Sequence, residues 1–250
     1  MKNWNRQEVE ILTSKGGVIA LANPYDNLVA TGVEPWPPAE VVQKLYQSRQ
    51  TRAFSEEQKE KLLKFIGYYS DLQSIHSEDA ITWSVFGTIA HAPNEKRNTF
   101  ISGLFESLGL ESATVESSEI YLWRRIPHPD NLVPGGPEID FGILTNDTLL
   151  LGEAKWKSSV GAAQGKNKDK DQIQLRTEFL QKFAPKLYPG VRHFVVLGVG
   201  LKNDVTENYT DKAVKIIGTT WSEICSLVSH PNHEELQEYL SWKIENTKTG

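Results

Sequence analysis

The chain has 250 residues, 39% of them hydrophobic and 24% charged, with a net charge of −5. This length suits one large domain or a core with an elaborated end, and the composition is that of a soluble globular protein. No apolar run approaches about 18 residues, which excludes a membrane-spanning helix; the acidic balance argues against coating nucleic acid with the whole surface, but leaves room for a local basic groove.

Met1–Arg6 is not followed by an apolar stretch of the signal-peptide kind. The lone cysteine, Cys225, leaves no internal disulfide and suits a reducing compartment, so a cytoplasmic location is expected. Cys225 falls in an apolar helical segment and reads as inert core.

Taken in order, Gly17–Leu21 reads as a short strand and Asn23–Asn27 as a turn. Trp36-Pro37-Pro38 opens a helix running from Ala39 to about Gln47. Ser55–Gln58 resembles a capping signal for a helix reaching about Gln73 through Leu62, Leu63, Phe65, Ile66 and Tyr69. Residues 1–75 are therefore expected to form an N-terminal, mostly helical extension to a domain at 76–250. Ser77-Glu78-Asp79 starts a helix that is apolar on much of its circumference and so buried. Lys96–Leu108 is a further helix closed by Gly109, and Ile120–Ile126 is a strand.

Two strands follow, Pro137–Leu144 and Leu149–Lys155, joined by the turn residues Thr145–Thr148. Alternation puts Leu149, Leu151, Glu153 and Lys155 on one face, and Glu138, Asp140 and Gly142 on one face of the preceding strand. Pairing through the turn would bring Asp140 to Glu153 and Lys155. Then come a lysine-rich loop at 157–170, a helix at Asp171–Phe183, an apolar central strand at His193–Val199, a strand near Val214–Ile217, and helices at about Trp221–Val228 and His233–Glu245. The order predicts an α/β fold: a mixed central β-sheet flanked by helices.

Two carboxylates and an ammonium at the end of an apolar strand pair are costly to bury without a partner, and a metal ion is the partner expected. Magnesium prefers carboxylate and water oxygens and keeps positions open for phosphates; manganese should substitute. Lys155 would position the attacking water and offset transition-state charge. Lys157, Lys166, Lys168 and Lys170, with Arg176, suit contacts to a nucleic-acid backbone, which carry no sequence information. Of Arg124 and Arg125, only one can face the groove. His76, His91 and His128 lack ligand spacing.

Pro137-Glu138-Ile139-Asp140, with Glu153-Ala154-Lys155 after it, resembles the PD-(D/E)XK nuclease superfamily, over roughly residues 75–200. The literal Pro-Asp pair is interrupted by Glu138-Ile139. The resemblance implies a restriction-endonuclease-like core. Asp140 and Glu153 would hold the metal, the Ala154 carbonyl would complete its shell, and Lys155 would serve the water. It also implies an acid on the helix before the sheet, Glu78 with Asp79 as substitute, although acids favour a helix's first turn in any case. A helix glutamine is implied too; Gln172 is preferred to Gln174 because its register leaves Ile173 and Leu175 to the core, and it shares a face with Arg176. The expected activity is Mg2+-dependent hydrolysis of DNA phosphodiesters leaving a 5′-phosphate, in a bacterial or phage defence setting. Paired duplex cuts would call for a homodimer or a second active site. The rivals are an inactive nucleic-acid-binding or assembly module, and a nuclease acting on RNA.

Overall fold

The computed structural model describes residues 1–13, 17–47, 57, 60, 70–110, 115–127, 137–158 and 170–247. The helix expected over 55–73 falls almost wholly outside these; 71–73 form a 3-10 turn. In chain order the elements are β1 (Ile11–Thr13), β2 (Ile19–Leu21), α1 (Ala39–Gln47), α2 (78–90), α3 (Asn94–Ser107), β3 (Ser118–Leu122), β4 (Phe141–Thr145), β5 (Thr148–Ala154), α4 (Gln172–Lys182), α5 (Ala184–Leu187), β6 (His193–Gly200), β7 (Lys215–Thr220), α6 (Trp221–Cys225) and α7 (His233–Thr247). No helix among the described residues is long and apolar enough to cross a membrane.

The chain groups into two compact units, Met1–His91 with Asn232–Gly250, and Ala92–Pro231. This partition differs from the one expected near residue 75. The α2 helix and the closing α7 helix both belong with the N-terminal segment.

In the first unit, β1 and β2 pair antiparallel, and buried polar side chains pin the irregular segments around them. The Gln73 amide donates to the carbonyls of Leu21 and Ala22, Asn27 donates to Leu72 and Ser74, and the Tyr239 hydroxyl of α7 donates to Asn27. Buried main-chain groups need such partners, and here the side chains supply them. Ser77 caps α2, whose middle widens into a π-turn over Trp83–Gly87. A side chain at Gly87 would run into the Trp83 indole, so this glycine lets the buried ring lie flat on its own helix.

The second unit is a mixed five-stranded sheet in the order β3-β4-β5-β6-β7, flanked by helices. β3, β4 and β5 form an antiparallel meander, while β6 and β7 add in parallel. Every residue of β5 is buried, which explains its near-continuous apolar run. Leu149, Leu151 and Val196 pack on one face against Ile173, Phe179 and Leu180 of α4. That helix starts at a capping box in which Asp171 and Gln174 satisfy each other's backbone N–H groups. Strand alternation then makes Glu153 the next residue on the same apolar face.

Candidate active site

Asp140 stands one residue ahead of β4 rather than within it, as the sequence had suggested. Its Oδ2 accepts a hydrogen bond of 2.7 Å from the Ala154 backbone N–H, tying the start of β4 to the end of β5. The preceding strand reaches the same point, since the Trp123 N–H donates to the Asp140 carbonyl. Trp123 has a φ of 52°, a left-handed conformation that is strained for a bulky residue, at the residue bonded to the Asp140 main chain.

Glu153 is completely buried. Its Oε1 lies 2.5 Å from the Lys155 ammonium, and its Oε2 touches the Arg176 guanidinium of α4. These two cations satisfy the two oxygens. Burial first, then the Asp140 charge, pushes the Glu153 acid up to about 7, while Arg176 and Lys155 pull it down. With two cations at contact, we take the ionised form as the one the fold is built around.

Lys155 follows β5. Its backbone is pinned on both sides: its N–H donates to the Val199 carbonyl, and its carbonyl accepts from the Trp221 indole N–H of α6. Its side chain folds back so that Nζ spans Glu153 Oε1 and, at 2.9 Å, the Ala154 carbonyl. Those two oxygens, with Asp140, form the donor set expected for a hard divalent cation, and the point where two of them meet already holds a cationic group. The all-oxygen donors fit magnesium or manganese, provided the ammonium swings aside. Among the described residues no group of three or more His, Cys, Asp or Glu stands together, so the protein offers two carboxylates and a carbonyl here.

The other expected residues divide. Gln172 opens α4, and its carbonyl accepts from Arg176. Gln174 is spent on the capping box, so it takes no part. Glu78 is half-buried in the first turn of α2 and Asp79 pairs with Lys44 at 3.2 Å; both belong to the first unit, whereas Asp140 and Glu153 belong to the second. Lys157 is exposed. Lys170 is held 2.9 Å from Glu178. Lys166, Lys168 and His128 lie outside the described residues. Arg124 lies over the Tyr121 ring.

Arg176 corrects the sequence reading. It was expected on a nucleic-acid backbone, yet its side chain is 0% exposed and points into the site. Besides Glu153 it reaches the Glu138 carbonyl at 3.0 Å and lies 3.9 Å from Asp140 Oδ2. Its sharing of a face with Gln172 was readable; that this face would lie on Glu153 was not. Tyr209 was also missed. Its hydroxyl donates to Asp171 Oδ2 at 2.8 Å, and burial with that bond raises its acid to about 12, so it stays a donor.

A cleft of about 450 Å³ opens beside Lys155 at the carboxyl ends of β5 and β6, lined by Trp156, Lys157, Gly200, Lys202 and Asp204 among others. Crevices at the carboxyl ends of parallel strands are where open α/β sheets take ligands. No protein-family model, curated protein or solved structure matches the chain.

Proposed function

We propose that the chain is a metal-dependent nuclease of the PD-(D/E)XK, restriction-endonuclease-like kind, hydrolysing phosphodiesters of DNA. One observation carries this reading: Asp140, Glu153, the Ala154 carbonyl and Lys155 gather at the end of the β4–β5 hairpin, and a helix and a parallel strand follow it. The order of elements and the residue types agree with the resemblance in the Asp140 to Lys155 segment. A bound Mg2+ would polarise the phosphate and activate a water.

The chain's own residues have definite tasks in this reading. The Ala154 N–H fixes the rotamer of Asp140, so the carboxylate is aimed before any ligand arrives. Arg176 and Lys155 keep Glu153 ionised in a place where burial would otherwise neutralise it. Lys155, once turned to the cleft, holds the water in line with the scissile bond and balances charge on the phosphorane. The water oxygen bonds to phosphorus and releases its proton to solvent, the P–O3′ bond breaks, the 3′ oxygen takes a proton from solvent, and the 5′ side keeps the phosphate. The exposed Lys157 and Lys202 at the cleft suit neighbouring phosphates.

The non-catalytic reading has one observation in its favour: Glu153 is already matched by two cations. Incubating the protein with supercoiled plasmid, linear duplex, single-stranded DNA and RNA, each with Mg2+, Mn2+ or chelator, decides between them. Metal-dependent cleavage of a DNA form is expected, falling at least about a hundredfold in Asp140→Ala and Lys155→Ala, as for other lost transition-state charges. A wild-type protein that binds DNA and cuts nothing means a binding module; cleavage of RNA alone moves the substrate.

A further inference from the structure

The lining of the cleft beside Lys155 is of two kinds: Trp156, Leu201 and Val205 are apolar, and the exposed Lys157 and Lys202 are cationic. Its charge is mixed, because Asp204 and Glu207 line it too. A phosphate chain is drawn to the lysines and repelled by the acids, so charge alone holds it weakly. At about 450 Å³ the cleft falls within the range of roughly 300–1,000 Å³ that takes small organic groups. A nucleotide offers both matching surfaces, an anionic phosphate and the apolar faces of a base.

Leu201 is where this apolar lining reaches solvent. Trp156 and Val205 are 3% and 5% exposed, whereas Leu201 is 40% exposed. A single exposed leucine means little on open surface. This one is held in place by its loop. After β6 the chain folds straight back over the sheet. A side chain at Gly200 would meet the Lys202 carbonyl at 2.8 Å and Val205 at 2.9 Å, one at Gly198 would meet Val205 and Thr206, and one at Gly218 of β7 would run into Asn203. Those three glycines leave the room in which residues 202–206 lie, with Val205 and Thr206 buried. Gly198 is the register partner of both Glu153 and Gly218, so the loop lies on the row of the sheet that carries Glu153. The far end of the loop is tied by the Tyr209 hydroxyl to Asp171, the cap of α4. An apolar side chain on a turn braced at both ends can keep its position against a ligand.

Resting on the nuclease reading, we propose that Leu201 is a specificity-determining residue: it packs against the face of one base of the substrate strand, turned out of its stack, while Lys157 and Lys202 hold neighbouring phosphates. Bases inside a duplex present their faces to each other, so the strand that fits is single or opened at that point. The contact is to a face and not to an edge, and it therefore favours an unstacked base without choosing among the four. Leucine is among the side chains that proteins place against bases they unstack. Asp204 and Glu207 lower the affinity for backbone alone, which leaves the base contact to decide which strand stays.

The test is binding, without turnover. Fluorescence anisotropy measures the affinity of the full chain for a labelled single-stranded DNA oligonucleotide and for an abasic strand of the same length, which keeps the phosphates and lacks the bases. Both are measured with chelator, and again with Mg2+ over a time in which gels show the strands intact. Wild type should bind the normal strand at least about fivefold tighter than the abasic one, the low end for a base contact removed by truncation. Leu201→Ala should bring that ratio close to one while leaving the abasic affinity unchanged. Lys202→Gln should weaken both strands alike and keep the ratio, since phosphate contacts are blind to the base. A Leu201 that only shapes the loop would, on truncation, weaken both strands alike. That result overturns the proposal while the nuclease reading stands, as does a wild-type ratio of one or a full ratio in Leu201→Ala. Wild type that binds neither strand, with chelator or with Mg2+, overturns the nuclease reading itself.

Discussion

Lys243 on α7 offers a test of the first unit that needs no knowledge of function. It is 0% exposed, its Nζ donates to the Ile75 carbonyl at 2.6 Å, and it lies over the Tyr239 ring. Burial lowers its value from 10.5 to about 7. At about 1.4 kcal/mol per pH unit, that displacement puts the cost of the buried ammonium on the order of 5 kcal/mol at acid pH. Replacement by methionine, an unbranched apolar chain of similar length, removes the charge and forfeits the hydrogen bond to Ile75, worth about 1 kcal/mol. Lys243→Met should therefore be more stable than wild type by roughly 3–4 kcal/mol near pH 6. The sign follows from proton counts. Between about 7 and 10.5 the unfolded lysine is protonated and the folded one is not, so wild-type stability rises with pH through that window. The variant lacks this rise, and its advantage should vanish by about pH 10. Urea unfolding followed by tryptophan fluorescence measures both proteins, and groups common to the two cancel in the difference. A variant less stable than wild type near pH 6, or a difference that does not shrink toward about pH 10, refutes the reasoning and means the ammonium is compensated in the fold.

Two further outcomes are expected. Gly152→Ala drives a Cβ into the ring of Phe141, its antiparallel partner, and should cost at least about 1–3 kcal/mol by overpacking; Phe141→Leu in the same chain should recover part of it, read as melting temperature. Cys225 is fully buried and its thiol is pushed up to about 12 by burial, so it should resist thiol reagents in the native protein at neutral pH and react on unfolding; fast native labelling would contradict its placement.

The hairpin, the helix on its far side and the strand after it were legible because their signals are local. The apolar run of β5, the turn at Thr145–Thr148 and the Asp171 cap each announce themselves within a few residues. What was not legible depends on contacts across the chain. The Tyr239 hydroxyl on the Asn27 carbonyl and the Lys243 ammonium on the Ile75 carbonyl place α7 with the N-terminal segment, and nothing near residue 240 signals that. Arg176 failed for a related reason. A cation near a helix start next to a lysine-rich loop reads as a phosphate contact, and only the packing of α4 on β5 turns it inward. Asp140 was placed on a strand face by alternation, whereas its role comes from ending just short of the strand, where its carboxylate can turn back to the Ala154 N–H.

The buried tetrad also bears on why these residues are here at all. Exchanging a buried ion pair for apolar side chains of similar volume is commonly neutral or stabilising by about 1–4 kcal/mol. The neighbours of Glu153 along its face are Leu149 and Leu151, and α4 lays Ile173, Phe179 and Leu180 against them. A leucine at Glu153 would therefore extend an existing apolar surface, and the fold would need neither Arg176 nor Lys155 beside it. Packing alone gives no reason for two acids and two bases at the end of β5. The strained Trp123 beside Asp140 adds to the same cost. Sites where local rules are broken without a gain in stability are where function is to be sought. The break here is confined to one end of the sheet, where the cleft opens.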